Sequence, residues 1–200
     1  MLMWNTYLIG DLRLYDRTQS LPLGLSLEGY NKYIIKRVNQ FVQDDNDIII
    51  LIGDITHGTL EQTIDILQQF NGTIYLMSIQ FSNFLNEITL KPFGNKIKTL
   101  WGLSDFQDSK IGNEICRIVI TADIKQILAL HSEEKIYIAA PGSVVKMDGI
   151  YQDRILDISF NKWDFIPIEI GTQLPQIIDD EELRLIMKKN KDIIEKKEIL

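Results

Sequence analysis

Two short stretches of this chain carry side chains that could bind a charged ligand. The first is "LIGDLRLYDR", where Asp11 closes an apolar run and Arg13, Tyr15, Asp16 and Arg17 follow. The second is "LIGDITHG", where Asp54 closes another apolar run and His57 lies three residues on. Each pattern places a carboxylate at the end of a buried strand. Two such carboxylates side by side repel, so they need a shared cation: a divalent metal or a guanidinium. Hard divalent metals take oxygen ligands, while borderline ones prefer imidazole and carboxylate together. Arg13 is the guanidinium at hand, and it is able to neutralise Asp11 and Asp54 without any metal. Tyr15, Arg17 and His57 are further candidates for a ligand-binding cleft; the alternative for each is a solvated loop position.

The elements around these residues set whether the carboxylates meet. "NTYLIG" reads as a first short strand, and "IIILI" is a continuous apolar run, the signature of a strand buried on both faces. Between them, "LEGYNKYIIKRVNQFV" puts Tyr30, Ile34, Val38 and Phe41 at helical spacing. After Asp54, "TLEQTIDILQQFNG" opens with the Thr59/Gln62 capping box and closes at Asn71-Gly72, with Leu60, Ile64, Leu67 and Phe70 on one face. "TIYLM" is the next strand. The order strand, helix, strand, helix, strand predicts parallel strands joined by helical crossovers. In such sheets ligands bind beyond the carboxyl ends of the strands, so Asp11 and Asp54 are expected to be neighbours.

Later segments are richer in strands: "KIKTLW", "CRIVIT", "KIYIAA", "SVVKM", "RILDISF" and "FIPIEI". "DIKQILALHSEE" reads as a helix with an Asp123/Gln126 capping box, and it carries His131 as a surface histidine. The core is expected to span residues 1–172. Residues 173–200 are expected to form a linker and a helix that runs from acidic to basic. That order suits the helix dipole, and Leu183, Ile186, Met187 and Ile194 form its apolar stripe. The stripe is the candidate partner-binding surface.

With its closing phrase "ISFNKWDFIPIEI", this order of elements resembles the calcineurin-like metallophosphoesterases, in particular the short bacterial and phage type. The resemblance spans roughly residues 5 to 172. It implies an α/β fold, a four-layer α/β/β/α sandwich of two mixed sheets with two metals at the strand ends. In that family, metal-activated water attacks a phosphate ester. The ligand motifs depart from the pattern. The family opens with Asp-x-His; here Asp11 is kept and Arg13 stands in place of the histidine. Its Gly-Asp motif is kept as Gly53-Asp54. By alignment, Gln80 replaces a metal-binding Asn and Phe81 a catalytic His, Ala122 replaces a third ligand, and Pro141 and Ser143 stand in the closing Gly-His-x-His. The whole chain has only two histidines, so no shift of alignment supplies the missing imidazoles. The resemblance therefore implies a vestigial site of Asp11, Arg13, Asp54 and Gln80, no catalytic residue and no cofactor. The alternative is a single divalent metal at Asp11 and Asp54.

The rest of the composition narrows the function classes. At 45% hydrophobic and 24% charged, the chain is an ordinary globular sequence. A net charge of -7 and a pI of about 4.9 disfavour a general grip on nucleic acid. The opening residues lack the pattern of a signal peptide, and no apolar run reaches the length of a membrane span. One cysteine, Cys116, forms no intrachain disulfide, which fits a cytoplasmic setting. The expected function is that of a catalytically inactive, metallophosphoesterase-like scaffold that binds a protein partner or a second copy of itself. A weak metal-dependent phosphoesterase is the first alternative. A nucleotide or nucleic-acid binder using Arg13 and Arg17 is the second.

Overall fold

The computed structural model describes residues 5–18, 24–77, 96–99, 104–111, 114–121, 136–140, 155–171 and 173. Four strands run parallel in the first sheet: β1 (Thr6–Gly10), β2 (Ile48–Ile52), β3 (Thr73–Met77) and β4 (Ile97–Thr99). The short β9 (Ile168–Glu169) joins β1 antiparallel, which gives the order β4-β3-β2-β1-β9. Helices α1 (Leu27–Asn39) and α2 (Leu60–Leu67) connect the first three strands. The second sheet has the order β5-β6-β7-β8, from β5 (Ser104–Ile111), β6 (Glu114–Ile120), β7 (Ile136–Ala140) and β8 (Ile155–Asp157). It pairs β5 with β6 antiparallel and runs parallel from β6 to β8.

Strand periodicity divides the core in two. Ile9, Ile49, Leu51, Ile74, Leu76 and Ile97 project to one face of the first sheet and pack on Tyr30, Ile34 and Val38 of α1 and Ile66 and Leu67 of α2. Leu8, Ile50, Ile52, Met77 and Ile168 cluster on the other side with Ile120 and Leu156 of the second sheet. Alternating side chains of a strand reach opposite faces, so an unbroken apolar strand such as β2 is the one that needs cover on both. The helices thus pack on one face of the first sheet, and residues of the second sheet cluster with its other face. The segment expected as the helix "DIKQILALHSEE", the expected strand "SVVKM" and the tail with Leu183, Ile186, Met187 and Ile194 all lie outside the described residues.

Several local expectations are corrected. The buried face of α2 is Thr63, Ile66 and Leu67, continued by Phe70 beyond its end; Ile64 is half-buried and Leu60 is exposed. The rotation is possible because the Thr63 hydroxyl is satisfied, donating to the Thr59 carbonyl at 2.8 Å. The Thr59/Gln62 capping box forms as expected. Phe41 lies past the end of α1 and is half-buried. "RILDISF" and "FIPIEI" shorten to β8 and β9, separated by a 3-10 turn at Phe160–Trp163. That turn ends at Asp164 and Phe165, both at positive φ, which seats Phe165 edge-on against Tyr30, Tyr33 and Phe160. Strand β5, "SDFQDSKI", was not expected; its sequence is polar, and its pairing with β6 makes it a strand.

Candidate functional site

β1 and β2 run parallel and in register from Thr6↔Ile48 to Gly10↔Ile52, so both chains leave the sheet at the same edge. Their loops stay paired beyond it. The Asp11 amide donates to the Ile52 carbonyl at 3.0 Å, Arg13 to Asp54 at 3.0 Å, and Leu14 to Ile55 at 2.9 Å. His57 donates back to Leu14 at 2.8 Å. This staircase holds Asp11, Arg13 and Tyr15 at φ of 48°, 51° and 60°. Left-handed backbone at non-glycine residues costs on the order of 1–3 kcal/mol each and clusters at functional sites. Gly53, at φ 82°, makes the opposing turn without that cost. α1 pins the strained loop from below: buried Asn31 accepts from the Tyr15 amide at 3.2 Å, and Tyr30 Oη donates to the Leu12 carbonyl at 3.1 Å.

Asp11 and Asp54 are neighbours, as the strand order predicts, but they do not face each other bare. Asp11 Oδ1 accepts the Asp54 backbone amide at 2.8 Å. Asp11 Oδ2 lies 3.1 Å from the hydroxyl of Ser159, a buried residue that follows β8. The same hydroxyl donates to Asp157 Oδ1 at 2.6 Å. The bridge between Gly10 and Ser159 brings these residues together from opposite ends of the chain.

Arg13 reaches Asp54, as expected, and pairs with Asp16 as well. Its Nη2 bonds to Asp16 Oδ2, while its Nε stands 3.5 Å from Asp54 Oδ2. The physical reason is reach: with residues 13 and 15 both left-handed, the chain turns back so that Asp16, three residues on, meets the guanidinium. Asp16 is 1% exposed and also accepts from the Thr18 amide at 2.8 Å and the Thr18 hydroxyl at 2.6 Å. Burial alone would raise its pKa. The two Thr18 bonds, then the charges of Arg13 and His57, outweigh that and hold it below the ordinary aspartate value.

His57 faces this network. Its Nε2 is 2.9 Å from Asp54 Oδ2 and 3.9 Å from Asp16 Oδ2; facing a carboxylate, that nitrogen carries the proton. His57 thus meets the carboxylate of Asp54 while its side chain stays 43% exposed. Tyr15 and Arg17 are the other expected ligand-binding residues. Tyr15 packs against the core and lies over Gly58, where a Cβ would come within 2.7 Å of its ring. Arg17 is exposed. Gln80, Phe81, Ala122, Pro141 and Ser143 lie outside the described residues.

The sequence reading missed Asp157 and Ser159 as part of the site and undervalued Asp16. A signal was present in "LDISF", where Asp-x-Ser directly follows an apolar strand. The distance to Asp11, 148 residues, hid it.

The cluster can hold positive charge better than negative: four aspartates, 11, 16, 54 and 157, surround Arg13 and His57. A dimetal centre fits these residues poorly. The guanidinium occupies the space between Asp16 and Asp54, and it has no lone pair to offer a metal. Among the described residues, no group of three or more His, Cys, Asp or Glu is arranged to hold a metal ion. Two buried carboxylate oxygens of the cluster, Asp16 Oδ2 and Asp54 Oδ1, have no hydrogen-bond partner among them, and the first of these faces the Arg13 guanidinium.

No family model and no curated protein matches this sequence. Among solved structures, the chain is similar to AQ665, a protein of unknown function from Aquifex aeolicus. The two are 14% identical with a TM-score of 0.55, and the match covers 84% of this chain and 96% of that one. At that identity the likeness is one of fold. No helix among the described residues is long and apolar enough to cross a membrane.

Proposed function

We propose that this protein is a metallophosphoesterase-like pseudoenzyme that acts as a scaffold, binding a protein partner or a second copy of itself. The complete fold in this reading is the four-layer α/β/β/α sandwich, with residues 1–172 as core and residues 173–200 as appendage. One observation carries the reading: Arg13, standing where the family places a histidine ligand, pairs with Asp16 and approaches Asp54. A cation supplied by the chain takes over the electrostatic role of a metal but cannot activate water. The count of two histidines in the whole sequence supports the same conclusion.

Elemental analysis of protein purified without chelator tests it, together with turnover of bis(p-nitrophenyl) phosphate in added Mn²⁺. The expected result is well under one metal per chain and a rate equal to buffer alone. Two equivalents of Mn, Fe or Zn with measurable turnover would overturn the proposal. A second reading, a single divalent cation held by Asp11 and Asp54, is favoured by the unpartnered Asp54 Oδ1. It predicts close to one equivalent, lost in the Asp54→Asn variant.

A further inference from the structure

We draw no further inference here: the strongest candidate, the polar cavity of about 870 Å³ at the amino ends of β1, β2 and β3 lined by Asn5, Asp44, Asp45, Asn46, Asp47 and Asn71, carries nothing because Asp47 is spent on the amides of Asn5, Gln43 and Asp44 and Asn71 on Val42, which leaves an exposed acidic turn with no second observation that points to a ligand.

Discussion

Arg13 and Asp16 form an ion pair across a single backbone turn in which Arg13 and the intervening Tyr15 are both left-handed. One member is buried and the other is 40% exposed, so the pair lies between a surface salt bridge and an interior one. Removing the guanidinium leaves Asp16 with its two Thr18 bonds and the more distant His57 but without its nearest charge partner. Arg13→Met is therefore expected to cost about 1–3 kcal/mol, less than the loss of a fully buried pair because water reaches the Arg13 side. Urea denaturation measures it. An unchanged midpoint would mean that the pair contributes nothing.

The lowered pKa of Asp16 fixes the sign of a pH effect. Its folded-state value lies below the unfolded value of about 3.9. The stabilisation is therefore complete above that value and is lost as pH falls through the folded one. Asp16→Asn should flatten the acid limb of a stability–pH profile below about pH 4. An acid limb as steep as that of the natural chain would locate the acid sensitivity in another carboxylate.

Gly58 is a steric test of its packing against Tyr15. A Cβ there would lie 2.7 Å from Tyr15 Cδ2 and 3.1 Å from Gln62 Oε1. Because Tyr15 sits on strained backbone, it has little room to retreat. Gly58→Ala is expected to destabilise by about 1–3 kcal/mol, as overpacking does. Adding Tyr15→Ala should relieve the steric part, so a double-mutant cycle is expected to show strong coupling. Additive costs would argue against the contact.

Asp164 offers the opposite case. It is exposed, at φ 50°, and caps the 3-10 turn. Glycine adopts this conformation freely but also gains freedom in the unfolded chain, worth about 0.4–1 kcal/mol. Asp164→Gly should be neutral or stabilising by up to about 1 kcal/mol in thermal unfolding. Phe165→Ala, which removes three edge-on ring contacts, should be clearly destabilising in the same assay.

The tail prediction rests on sequence alone. Its apolar stripe, Leu183, Ile186, Met187 and Ile194, is too regular for a solvated linker, and an isolated helix of that length is marginal in water. Truncation after Gln176 is expected to leave a cooperatively folding core and to abolish association in sedimentation. A truncated chain that unfolds would make the tail an internal brace. One that keeps its assembly state would remove the tail from the scaffold reading.

Local pattern determined much of this protein. The unbroken apolar run of β2, the amphipathic α1 and the Thr59 cap are short-range properties, so the sequence states them directly. Parallel order then follows from chain connectivity, and with it the meeting of Asp11 and Asp54. Tertiary structure decided the rest. Ser159 reaches Asp11 only because two sheets, distant in sequence, bridge at Gly10. Arg13 reaches Asp16 in addition to Asp54 because the loop backbone turns left-handed there, and a residue's φ at a non-glycine position is set by the pairing around it rather than by its type. β5 is a strand because β6 supplies its hydrogen bonds, a contribution that no pattern within "SDFQDSKI" records. Packing likewise chose Thr63 over Leu60 for the interior, since a satisfied hydroxyl can be buried and helix orientation is fixed by the surface beneath it.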